Sequence, residues 1–160
     1  MNRIWAPWRK GYIRPKNRKR KTCLFCTLRG GKNDSRDHIL KRSQFNFAVL
    51  NLYPYSNGHV LIVPNRHVFS PEQLNEKEKL DWLDLCGEVV AALKKSIKPH
   101  GFNIGLNLGR PAGAGIPGHL HLHVVPRWNG DVNFMPIIAE TRVISESLNS
   151  VYKIMRNHLK

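Results

Sequence analysis

Residues 118–126 read Gly118-His119-Leu120-His121-Leu122-His123-Val124-Val125-Pro126. Side chains alternate along an extended strand, so His119, His121 and His123 share one face, and Leu120, Leu122 and Val124 share the other. The apolar side faces a core, and three imidazoles line whatever lies opposite. The segment before it, Gly109–Gly118 (GRPAGAGIPG), is a glycine-rich loop. Its backbone N–H groups, Gly113 and Gly115 included, can approach a phosphate without obstruction from side chains. A neutral imidazole is a nucleophile at neutral pH, and a neighbouring one can donate to phosphate oxygens. The pattern therefore suits phosphate chemistry in a cleft. A histidine-lined metal site, or a row of surface histidines on an edge strand, is the other reading of the same alternation.

Working outward, Phe102–Leu108 reads as the preceding strand. Phe102, Ile104, Leu106 and Leu108 point one way, and Asn103, Gly105 and Asn107 the other, which puts Asn107 within reach of the same phosphates. Upstream, Phe45, Phe47 and Val49 alternate with polar or small residues, the mark of a half-buried strand. Tyr53–Gly58 is a turn with an Asn-Gly step, and His59–Val63 is a second strand stopped by Pro64, so the two form a hairpin. Ser70-Pro71 and Asn75-x-x-Glu78 are helix-start signals. Leu80, Leu83, Cys86, Val90, Leu93 and Ile97 follow at spacings of three or four, which predicts one buried helical face with Cys86 a small core residue. A last helix is expected around Ser145–Leu159, with Leu148, Val151, Tyr152, Met155 and Leu159 near one face. The order predicts an α+β fold: an antiparallel sheet with a long helix packed across it and a C-terminal helix. Residues 23–160 are expected to form a single domain, and residues 1–22 a basic arm carrying Trp5, Trp8 and Tyr12.

The 160 residues, 41% apolar, suit one compact soluble domain. No apolar run approaches a membrane span and the N-terminus lacks the apolar core of a secretory signal, so the expected compartment is the cytoplasm and no membrane partner is expected. Three cysteines fit a reducing compartment, and the odd count argues against a disulfide framework. The Cys23-x-x-Cys26 pair can be a redox couple, half of a metal site, or chance. The net charge is +15, and residues 1–42 hold 14 basic residues against 2 acidic ones. Such a surface attracts polyanions, whether nucleic acid or a nucleotide substrate, and a merely solvated basic arm is the plainer alternative.

The stretch H-L-H-L-H-V-V resembles the H-φ-H-φ-H-φ-φ motif of the histidine-triad (HIT) superfamily, where φ is hydrophobic. C-L-F-C, F-A-V-L-N, G-H-V-L-I-V-P-N-R-H, the glycine loop and V-V-P-R-W follow in the superfamily's order over about residues 23–128. W-A-P-W-R at residues 5–9, A-G-A-G-I-P-G-H before the triad, and R-W-N-G-D-V-N-F-M-P and E-T-R-V-I-S-E-S-L after it look like the branch containing diadenosine tetraphosphate phosphorylases. The resemblance implies that His121 attacks the α-phosphorus, that His123 donates to the phosphate oxygens, and that His59 supports the phosphate site. It implies that Leu24, Phe25, Val49 and Leu52 line an adenine pocket and that Asn51 stands where the sugar hydroxyls are bound. It also implies a closed structural zinc held by Cys23, Cys26, His67 and His119, and magnesium, where present, arriving with the nucleotide. Members of the superfamily are usually dimers, with further assembly in some branches, so the resemblance implies a homodimer or higher homo-oligomer. Many hydrolase members carry A-G-Q-[ST]-V before the triad; A-G-A-G-I-P resembles instead the branches in which inorganic phosphate is the second nucleophile.

Overall fold

The computed structural model describes residues 22–131 and 146–159. The basic arm and most of the stretch matching E-T-R-V-I-S-E-S-L therefore lie outside the described residues.

Among the described residues three helices and five strands follow in the order α1 (Leu24–Gly30), β1 (Ile39–Arg42), β2 (Asn46–Leu50), β3 (Val60–Pro64), α2 (Glu76–Ser96), β4 (Gly101–Leu106), β5 (Leu122–Arg127) and α3 (Leu148–Arg156). The strands form one antiparallel sheet in the order β1-β2-β3-β5-β4. This is the α+β architecture expected from the sequence. β2 and β3 are buried along their whole length, as continuous apolar runs covered on both faces should be.

Asn75 starts α2 with a reciprocal capping box: its side chain accepts from the Glu78 N–H, and the Glu78 carboxylate accepts from the Asn75 N–H. The buried stripe of α2 is Trp82, Leu85, Cys86, Val89, Ala92 and Leu93. It packs on Leu40, Ala48, Leu50, Val60, Ile62, Leu122 and Val124 of the sheet and on Val151, Tyr152 and Met155 of α3. Each fully buried large side chain here stabilises the fold by about 1.5–3 kcal/mol.

Two expectations need correction. Leu80 and Leu83 are 64% and 65% exposed, so the buried face of α2 is rotated from the one the leucine spacing suggests. Its phase is set by long-range bonds. Trp82 Nε1 donates to the Ile62 carbonyl, and Asp81 accepts from Ser43 Oγ, the Phe45 N–H and Asn46 Nδ2. The strands are also shorter than the alternation suggested. β4 ends at Leu106 and β5 begins at Leu122, so His119 and His121 lie in the approach to the strand and only His123 is in the ladder.

A second cluster lies on the opposite face of the sheet: Phe25, Ile39, Phe47, Val49, Leu61 and Val63, with Cys23, Leu28 and Ile116 against it. The directly paired residues Leu61 and His123 point to this face, and so does Gly105, paired with His123 from the other side. Lacking a side chain, Gly105 leaves that face open beside the imidazole; a Cβ built there meets nothing within 4 Å.

Candidate active site and metal cluster

The glycine loop delivers the histidines to this face. Gly109 and Gly113 sit at φ +78° and +92°, conformations that L side chains rarely adopt. They bend the chain around a 3₁₀ turn at Arg110–Ala112 and aim it back into β5. His119, His121, His123 and the separate His59 are all buried, despite being polar. His59 Nε2 lies 2.9 Å from His123 Nδ1, and Asn107 Nδ2 lies 3.5 Å from His123 Nε2. The His121 and His123 rings are 5.0 Å apart. Asn107 Nδ2 also faces the glycine loop, 3.8 Å from where a Cβ on Gly113 would stand.

The bond made by His121 defines its chemistry. Its Nδ1 lies 2.8 Å from the main-chain oxygen of His119. A carbonyl oxygen only accepts, so the neutral ring carries its proton on Nδ1 and keeps the lone pair on Nε2. An unprotonated Nε2 on a buried ring beside a second imidazole has the lone pair that a nucleophile needs.

Behind the row, Cys23 Sγ, Cys26 Sγ, His67 Nδ1 and His119 Nδ1 lie within 4.8 Å of one another. Three of their separations are 3.2, 3.3 and 3.7 Å. A tetrahedral zinc with bonds of about 2.0–2.3 Å has ligand–ligand edges of roughly 3.3–3.8 Å, so this donor set fits one. His119 Nε2 donates to the Pro64 carbonyl at 2.9 Å, which leaves Nδ1 free to face the thiols. Burial first, and then the adjoining Cys23, raise the Cys26 thiol above its usual range. Two thiolates side by side are disfavoured unless a cation lies between them.

The HIT domain family matches residues 32–130. This chain belongs to the HIT family. Over 161 aligned residues the HIT protein is 36% identical to AP-4-A phosphorylase of Mycobacterium tuberculosis, with 97% of this chain and 83% of the relative covered. It is 31% identical to adenosine 5′-monophosphoramidase of Schizosaccharomyces pombe, with 68% and 76% covered. Among solved structures, a zinc-bound histidine triad family protein from Mycobacterium smegmatis superposes with a TM-score of 0.69 at 22% identity, covering 86% of this chain and 93% of that one. A histidine triad nucleotide-binding protein from Sulfolobus tokodaii gives 0.66 at 27% identity, covering 85% and 91%.

Burial governs the electrostatics of the HIT protein's imidazoles. Desolvation lowers His121 and His119 below the ordinary histidine value, in each case against a backbone hydrogen bond that pulls the other way. Desolvation, reinforced by His121, brings His123 down to about 4. All three are therefore neutral at pH 7, the state a nucleophile needs.

The other residues singled out in the sequence fall as follows. Phe25 and Val49 are buried in the second cluster, and Leu24 is half-buried at the start of α1. The Phe25 ring centroid is 5.4 Å from that of His119 and 5.2 Å from that of His121, so one side chain lies against both the Cys–His cluster and His121. Leu52 is exposed. Asn51 spends both ends of its amide within the chain: Oδ1 accepts from the Tyr53 N–H, and Nδ2 faces His59 Nδ1. Gly115 lies in the loop beyond Gly113, next to buried Ala114. Tyr55 was read as part of a turn. It lies parallel to the His123 ring at 5.7 Å and 4.7 Å from His59. The only signal for it is its place four residues before His59.

Among the described residues no helix is long and apolar enough to cross a membrane.

Proposed function

We propose that this HIT protein transfers the adenylyl group of diadenosine tetraphosphate to inorganic phosphate through a nucleotidyl intermediate on His121. The observation that carries the reading is the 2.8 Å contact from His121 Nδ1 to the His119 carbonyl, which leaves Nε2 as the free base. Nε2 attacks the α-phosphorus, the bond from that phosphorus to its bridging oxygen breaks, and ATP leaves. His123 and Asn107 supply convergent N–H groups for the phosphoryl oxygens, with the Gly113–Gly115 backbone beside them. Phosphate then attacks the same phosphorus in line, the P–N bond breaks, and ADP leaves while His121 regains its lone pair. The 36% identity to AP-4-A phosphorylase across nearly the whole chain supports this choice of substrate and acceptor. Phe25, Val49 and half-buried Leu24 form the apolar wall available to an adenine, with Leu52 at its rim.

We propose further that Cys23, Cys26, His67 and His119 hold one structural zinc. Bound there, it would have no open position for substrate and would fix the loop that precedes His121.

The protein is proposed to work as a homodimer joined along β4. That edge has no charged residue from Gly101 to Leu108, and Ile104 and Leu108 are about half exposed on it. The other edge, β1, is broken by a register irregularity, carries Lys41 and Arg42, and is covered by α3.

Chromatography of the products made from diadenosine tetraphosphate with and without phosphate tests the reaction. ATP plus ADP, formed with consumption of phosphate, is expected. ATP plus AMP at high phosphate would replace phosphorolysis with hydrolysis.

A further inference from the structure

We infer that Arg42 is a positioning residue for Cys23 and Cys26: its guanidinium, clamped on the last turn of α1, holds the helix that presents both thiols. Its effect on metal affinity presupposes the zinc proposed above, whereas its hold on α1 is a matter of geometry alone.

α1 lacks the means to keep its place unaided. Its seven residues are too few for a helix to stand alone in water. No side chain caps its start at Cys23, and its first turn has no acidic residue. Phe25 is its one buried residue. A single buried ring is a pivot, and rotation about it would swing Cys23 and Cys26, which lie on either side of it in the chain. Fixing their direction takes a second tie at the far end of the helix.

Arg42 supplies that tie from β1. Neighbouring side chains in a strand leave on opposite faces. Lys41 accordingly reaches Glu88 of α2 at 2.9 Å, and Arg42, paired directly with Phe47, turns to the face of the second cluster. Its Nη1 donates to the Arg29 carbonyl at 3.0 Å, and its Nη2 to the Leu28 and Gly31 carbonyls at 3.1 and 3.3 Å. These oxygens close the helix at its negative end, where a cation is favoured. Asp34 Oδ1 holds the guanidinium in turn, accepting from Nε at 3.0 Å and from Nη2 at 2.8 Å. The Phe47 ring centroid lies 5.8 Å from the guanidinium carbon. A planar fork held on these sides fixes a direction, which the single ammonium of a lysine does not.

Ordering a ligand-bearing segment in advance removes that cost from binding. With α1 clamped, Cys23 and Cys26 already stand 3.3 and 3.2 Å from His119 and His67. Without Arg42 the ion must order α1 as it binds, so affinity falls although all four donors remain.

The test has two arms, both on the full chain. Cobalt(II), whose absorption reports tetrahedral thiolate coordination, is titrated in competition with a chelator. Arg42→Gln is expected to keep the spectrum and to raise the dissociation constant roughly tenfold or more. Arg42→Lys keeps the charge and gives up the fork. It is expected to fall between Arg42→Gln and wild type, and it carries the test should Arg42→Gln fail to fold. Arg36→Gln, at the exposed pair with Asp37, is expected to bind cobalt as wild type does, which separates the fork from a general loss of positive charge. Amide hydrogen exchange on the protein as purified reads the helix itself. The amides of residues 27–31 are expected to accelerate in the Arg42 variants well beyond those of β2 and β3; a residue that merely stabilises the fold would accelerate all of them alike. Unaltered cobalt affinity in the Arg42 variants, an equal loss in Arg36→Gln, or uniform acceleration of exchange overturns the inference. Wild type that takes up neither cobalt nor zinc would overturn the metal reading and leave amide exchange to decide whether Arg42 fixes α1.

Discussion

His121 Nδ1 and the main-chain oxygen of His119 are 2.8 Å apart, and His119 points its own Nδ1 at two cysteines. The tautomer of His121 is thus set by the backbone of a residue in the Cys–His cluster. Anything that shifts the cluster shifts the base.

The first prediction follows from that link. Protein purified without chelator should contain about one zinc per chain in four-coordinate geometry. Prolonged chelation, or Cys26→Ser, should remove the metal and lower both the thermal midpoint and turnover. Metal analysis beside an activity assay checks this. Full activity in verified metal-free protein would detach His121 from the cluster.

The nucleophile gives the second. His121→Asn should abolish turnover, a loss of several orders of magnitude, while nucleotide affinity stays within a few-fold, because the adenine wall proposed above, Phe25 and Val49, is left intact. Rapid quenching of wild type with substrate labelled at the α-phosphate should trap an acid-labile nucleotidyl-protein. The variant should trap none. A variant that still forms the adduct would place the nucleophile elsewhere.

A third concerns pH and stability. Folding lowers His123 from the ordinary 6.5 to about 4. Between those values the unfolded chain binds a proton that the folded chain does not, so stability is complete above about 6.5 and falls as pH drops toward 4. For one group shifted this far the loss is at most about 3 kcal/mol. His121 and His119 are lowered in the same direction and add to the slope. Urea unfolding at several pH values should therefore show His123→Asn with a shallower dependence than wild type. Parallel curves would mean that His123 does not carry the shift.

The fourth addresses the open edge. Ile104→Arg places a cation where β4 has none, and should convert the proposed dimer to monomer in light scattering, leaving far-UV circular dichroism unchanged. An unaltered mass would move the interface away from β4.

Much of the site was legible because its signal is local. The two-residue period of the histidine row needs no partner to be read, and the Asn75–Glu78 capping box needs only four residues. What was misread depends on distant chain. The phase of α2 is settled by Trp82 reaching Ile62 and by Asp81 reaching Ser43 and Asn46, so counting leucines placed Leu80 and Leu83 inside. β1 is four residues long and half charged, and α1 is seven, too short for any period to show. Asn51 and Tyr55 take their meaning from His59 and His123, one a few residues off and the other across the sheet.

The cysteine–histidine cluster has a consequence for the chain as a polymer. Cys23 meets His119 across 96 positions of sequence, and Cys26 meets His67 across 41. An ion at their centre would close nested loops and restrict the unfolded ensemble as a cross-link does, with the larger loop costing only slightly more closure entropy than the smaller. Unlike a disulfide, such a tie holds in a reducing medium and opens to acid or chelators. A fold with a short, charged first strand thereby gains a staple across its two farthest functional segments.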